Sequence, residues 1–118
     1  MSRRGDVIVV EIPFHDRPGA KERPVVVVQC DRNNMRLLST LVAGITTNLK
    51  RVATEPTQFL VDPTAPEGSS SGLFSPSAVK CENLYTVSQT RIKRTLGCLS
   101  DSLKAKLDEC LKAALEIT

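Results

Sequence analysis

Tryptophan is absent from the 118 residues, and Phe14, Phe59, Phe74 and Tyr85 are the only aromatic side chains. So sparse a set argues against a platform of stacked aromatics of the kind that single-strand binders and RNA-recognition domains use. The longest apolar runs, such as Val25 to Val28, fall far short of the roughly 18 residues needed to span a bilayer, so no membrane partner is expected. The N-terminus, Met1-Ser2-Arg3-Arg4-Gly5, is basic, but Asp6 and Glu11 interrupt the apolar residues after it. An export signal needs a continuous apolar core, and none is expected here. Cys30, Cys81, Cys98 and Cys110 match neither a zinc pattern nor a Cys-x-x-Cys redox motif. Their spacing predicts free thiols in a reducing, cytoplasmic setting, without metal or other cofactor.

What remains is an ordinary globular balance: 41% hydrophobic and 25% charged residues, with sixteen basic and thirteen acidic side chains giving +3. That charge suits an anionic partner but is far below that of a dedicated nucleic-acid arm. The length predicts a single domain over residues 1–118, since a break in the Ser-rich stretch would leave a C-terminal piece too small to fold alone. Val7 to Ile12 predicts a first strand, and a polar loop over 13–24 carries His15, the only histidine. Pro24 opens the β-branched run Val25 to Gln29, a turn is expected over Asp31 to Asn34, and Leu37 to Ile45 predicts a third strand. Gln58 to Val61 and Ala78 to Val87 predict two more, separated by a Pro-, Gly- and Ser-rich loop from Asp62 to Pro76, whose Ser-rich part from Glu67 to Ser75 is expected to be either a lid or an insertion. From Ser100 the period changes: Leu103, Leu107, Leu111 and Ala114 recur at helical spacing, with Ser100 or Asp101 as cap. The expected class is mainly β (α+β): a small barrel of about five antiparallel strands closed by a C-terminal amphipathic helix.

The order of short motifs is more specific than any one of them. Arg4-Gly5-Asp6-Val7, Arg23-Pro24 before the valine run, Gly44-Ile45-Thr46-Thr47, Ser71-Gly72-Leu73, Val79-Lys80-Cys81-Glu82-Asn83-Leu84-Tyr85 and the closing Leu-rich helix together resemble the MazF/PemK family of toxin endoribonucleases, nearly end to end. The resemblance implies an SH3-like barrel, a homodimer, metal-independent cleavage of single-stranded RNA and neutralisation by a cognate antitoxin protein. The competing reading is a non-catalytic SH3-like toxin or binding module acting on a protein such as gyrase.

Metal-free RNA cleavage needs an acceptor for the ribose 2′-hydroxyl proton, a cationic clamp on the phosphate and a donor for the leaving 5′-oxygen. Arg23 offers a planar fork for two phosphate oxygens and Thr46 a hydroxyl donor; the resemblance puts both at the active centre. Left to themselves, Arg23 would pair with Glu22 or Glu11, and Thr46 would bond the local backbone. In a regular strand Lys80 and Glu82 share a face, and the resemblance casts them as an acid–base pair, Glu82 accepting and Lys80 donating. A cross-strand ion pair is the alternative. Asn83 would point the other way unless a bulge turned it toward the phosphate. The resemblance also places His15 beside the RNA groove; Arg17 and Lys21 in the same loop would attract phosphate, and Thr47 and Asn83 complete the expected RNA contacts. The family's Glu-Gln-Gly-Gly-like segment is replaced here by His15 to Glu22, and Tyr85 stands where many relatives have arginine.

Overall fold

The computed structural model covers residues 1–118. Its strands are β1 (Asp6–Pro13), β2 (Ala20–Val27), β3 (Ser39–Thr46), β4 (Gln58–Val61), β5 (Ser77–Ser88) and β6 (Ile92–Cys98), with helices α1 (Asp31–Arg36) and α2 (Asp101–Leu115). They form one sheet in the order β4-β5-β3-β2-β1-β6, and every neighbouring pair is antiparallel. The expected mainly β class with a closing helix is what the chain adopts, with six strands rather than five and a sheet that does not close on itself.

The sheet separates two apolar clusters. On one face Val7, Val26, Val28, Phe59, Val61 and Val79 pack against Leu103, Leu107 and Cys110 of α2. The helix is fixed there by its apolar stripe and by Ser100, whose hydroxyl oxygen accepts the Leu103 N–H at 3.4 Å. Each fully buried leucine contributes on the order of 1.5–3 kcal/mol. On the other face Ile8, Val10, Ile12, Val25, Val27 and Val42 form a smaller cluster to which α2 contributes no residue.

The free edges, β4 and β6, are bridged by a 3-10 helix, Pro66–Ser71, from the Ser-rich stretch. Its approach to β6 is close. Gly72 has φ 75°, and a Cβ there would lie 2.1 Å from the Leu96 carbonyl oxygen; one on Gly97 would lie 2.2 Å from that of Ser70. The Ser70 hydroxyl donates to the Cys98 carbonyl at 2.8 Å, Ser71 is fully buried, and Lys106 of α2 pairs with Glu67 at 3.5 Å. The 3-10 helix is therefore packed across the sheet's open seam, while Phe74 beyond it is exposed.

Two local expectations change. The turn at Asp31 to Asn34 is the start of α1, because the buried Asn34 amide donates to the Gln29 carbonyl at 3.0 Å and its oxygen accepts from Gln29 and Thr40 at 2.9 and 2.6 Å. The loop over 13–24 is shorter, since Ala20 to Pro24 already pair with Val9 to Pro13 in a β1–β2 hairpin.

Candidate active site: a cationic groove

The hairpin register places the site. Arg23 pairs with Val10 and Lys21 with Ile12 on the face of the smaller cluster. Val25 pairs with Gly44, and Gly44 with Lys80. Continuing the β2–β3 register by two residues sets Arg23 level with Thr46, so the guanidinium, the hydroxyl and the Lys80 amine arise from three adjacent strands on one face.

These side chains line a groove of about 540 Å³, together with His15, Asn83, Phe14, Tyr85 and one carboxylate, Asp16, which makes no ion pair with either cation. Asn83 reaches it through an irregularity in β5. Ala43 pairs with Leu84, but the next residue, Gly44, pairs with Lys80, leaving Cys81, Glu82 and Asn83 without partners on β3. The bulge re-aims Asn83 toward the side occupied by Lys80.

The charges of the groove are unspent. Glu22 pairs with Arg94 at 3.6 Å and Glu11 with Lys93 at 3.3 Å, so neither carboxylate takes Arg23, and neither Arg23 nor Lys80 enters any ion pair. Thr46 does make a local bond, its Oγ1 accepting the Asn48 N–H at 3.1 Å. That bond uses a lone pair and leaves the hydroxyl proton to donate elsewhere.

Glu82 is differently placed. It lines an adjoining polar pocket that shares Thr46 and Lys80 with the groove. Partial burial pushes its carboxyl up, but hydrogen bonds from Gln58, its own backbone and Thr57, with the charge of Lys80, outweigh this and hold it below the usual 4.5. The opposite adjustment would make a stronger proton acceptor, so a general base at Glu82 would have to work with lowered basicity. Cys81, beside it, is a core residue: burial foremost, then Cys110 and Glu82, push its thiol up to about 12.

Three of the expected RNA contacts stand outside the groove's lining. Thr47 is exposed beyond it. Lys21 lies farther out on the Arg23 face of β2, and Arg17 rests its guanidinium 4.1 Å from the centre of the Phe14 ring. Nothing in the sequence marked Phe14 as a groove residue or gave Tyr85 a role in it, yet half of the four aromatic side chains gather here. Asn48, Arg51 and Gln58 of the adjoining pocket were equally unmarked; the only signal for them is a polar segment, 48–58, between two strands.

A half-open antiparallel sheet with a C-terminal helix, and a groove holding Arg23 and Lys80 in no ion pair, is of the small SH3-like class. The chain belongs to the PemK-like, MazF-like toxins of type II toxin-antitoxin systems, whose family pattern matches residues 3–115. It is 30% identical over 116 residues to Endoribonuclease MazF of Staphylococcus epidermidis, a match covering 98% of this chain and 92% of that one. Endoribonuclease MazF3 of Mycobacterium tuberculosis is also 30% identical, over 105 residues, 89% of this chain and 93% of the relative. Among solved structures, a mycobacterial endoribonuclease in complex with its cognate antitoxin superposes with a TM-score of 0.79 at 20% identity, over 100% of this chain and 98% of that chain. Mycobacterium tuberculosis toxin MazF-mt6 gives 0.72 at 25% identity, over 94% and 98%.

Proposed function

We propose that this chain is an endoribonuclease toxin that cuts single-stranded RNA with its own side chains. The observation that carries the reading is the convergence of Arg23, Thr46 and Lys80 on one groove in which both cations lack a carboxylate partner. The ribose 2′-oxygen attacks the adjacent phosphorus as its proton passes to His15, whose imidazole can both take and give one. Arg23, Thr46 and Asn83 hold the phosphoryl oxygens as charge builds on them. The bond from phosphorus to the 5′-oxygen then breaks, and Lys80 protonates the departing oxygen, leaving a 2′,3′-cyclic phosphate and a 5′-hydroxyl. Arg17 and Lys21, outside the groove, draw the RNA backbone toward it, an attraction that weakens as salt rises. Thr47 at the end of β3 makes a further contact to the strand.

A cognate antitoxin protein is the proposed regulator and a homodimer the proposed state. The exposed Met1, which lies beside Leu38 on one side and Met35 on the other, gives apolar surface for a second copy. Incubating the protein with single-stranded RNA in EDTA and mapping the ends tests the chemistry. Cyclic-phosphate and 5′-hydroxyl ends, lost with Arg23→Ala, are expected; intact RNA alongside inhibited gyrase would replace this reading with the protein-directed one.

A further inference from the structure

The pocket beside the groove has a chemistry of its own. It encloses about 230 Å³ and is lined by Thr46, Asn48, Arg51, Gln58, Lys80 and Glu82, with no apolar side chain. That is smaller than the roughly 300–1,000 Å³ of sites that enclose drug-sized ligands, a size for one base rather than a whole nucleotide. Because it shares Thr46 and Lys80 with the groove, whatever fills it lies beside the group those residues hold.

Its one carboxylate is fixed from behind. Glu82 Oε1 accepts from the Thr57 hydroxyl at 2.8 Å, and Oε2 from the Gln58 amide at 2.7 Å. Each oxygen accepts one of these side-chain bonds, so Glu82 presents a carboxylate edge held in a fixed orientation. Arg51 adds a fork of donors and takes part in no ion pair.

Resting on the endoribonuclease function proposed for the groove, we propose that this pocket selects guanine in the nucleotide flanking the scissile phosphate: Glu82 accepts its N1–H and N2–H, and Arg51 donates to O6. In a single strand that Watson–Crick edge is free to be read. Guanine alone sets two adjacent donors against the carboxylate. Adenine and cytosine each bring one donor beside a ring-nitrogen lone pair, and uracil brings one donor between two carbonyl oxygens, so each would press an acceptor against Glu82. The hydrogen bonds that stiffen Glu82 are what a reader of bases needs, and they also lower its basicity.

Two measurements separate base selection from RNA cleavage itself. Binding is measured with short RNAs that carry a 2′-deoxy nucleotide at the scissile position, varying one neighbouring base at a time; cleavage is mapped with the all-ribose versions. The native protein is expected to bind and cut with guanine at one fixed flanking position on the order of tenfold better than with any other base, and inosine there, lacking the N2 amine, should lose most of that preference. Glu82→Gln should flatten the preference to about twofold or less while still cutting RNA, its circular-dichroism melt remaining cooperative and lowered by no more than a small margin. Preference for another base, or a guanine preference that survives Glu82→Gln, overturns the subsite. Loss of all cleavage in a folded Glu82→Gln protein also overturns it, by returning Glu82 to the chemistry. Guanine-dependent binding by a native protein that cuts nothing would sustain the subsite and overturn the endoribonuclease function.

Discussion

Two groups of cations in this protein are placed differently. Around α2 and the β1–β6 edge, Arg4, Lys93, Arg94 and Lys106 each face a carboxylate at 2.8 to 3.6 Å. At the groove and its adjoining pocket, Arg23, Lys80 and Arg51 take part in no ion pair. The apolar packing divides the same way, the larger cluster lying under α2 and the smaller one behind the groove. One side spends its charges and its leucines on holding the fold; the other keeps its charges available to an anion. If that division is right, changes on the two faces separate activity from stability.

The largest effect belongs to the groove. Arg23→Ala removes the clamp without disturbing any internal ion pair, and loss of one such preorganised donor costs about 10²–10³ in kcat. Cleavage is expected to fall by that factor with the thermal midpoint unmoved. A variant that loses activity only in step with its stability would erase the distinction between the faces.

The helix face should show the reverse. Leu107 is fully buried in the larger cluster, and Leu→Ala at such sites costs about 2–5 kcal/mol. Leu107→Ala should lower the urea midpoint accordingly while each folded molecule cleaves as before. Cleavage lost at temperatures where the variant is still folded would mean that α2 positions the groove.

A smaller effect tests the boundary between the faces. The Glu82 carboxyl is held below its usual 4.5 in the folded chain. A lowered folded-state value means that the carboxylate adds stability above the unfolded value, and that this is lost as pH falls through the folded one. The native protein should therefore lose, below about pH 4.5, a small margin over Glu82→Gln that it holds at neutrality. Urea midpoints measured from acid to neutral pH check this. A difference that does not change with pH would mean that the hydrogen bonds from Thr57 and Gln58 do not favour the charged form.

How far these regions were legible in the sequence differs for physical reasons. The strand at Gln58 to Val61 and the helix after Ser100 were readable because patterning within a short window decides them. β6 was not: Lys93, Arg94 and Thr95 are exposed on an edge strand, and without one buried face there is no alternation to read. The convergence of Arg23, Thr46 and Lys80 came from resemblance, and the ladder accounts for it only once three strands are in register. The surroundings of Glu82 lay beyond local reading, because the bulge depends on pairing with β3 and its donors, Thr57 and Gln58, are 25 and 24 positions away.

The smallest expected effect probes whether the two sets of charges are insulated. Arg94 holds Glu22 at 3.6 Å with side chains 60% and 50% exposed, and such pairs contribute about 0.2–1 kcal/mol. Arg94→Ala should hardly move the thermal midpoint. It does free Glu22, the chain neighbour of Arg23. Consecutive strand residues point to opposite faces, so the released carboxylate should stay on the far side of the sheet and leave cleavage unchanged. Were Glu22 able to swing round and neutralise Arg23, Arg94→Ala would cleave poorly at low ionic strength and recover part of its rate as added salt screened the new pair. Cleavage rates of the native and Arg94→Ala proteins at low and moderate salt decide between these outcomes: parallel falls, from weaker RNA attraction alone, mean that the pleat keeps the two charge sets apart, and converging rates mean that the Glu22 pair is what keeps Arg23 free.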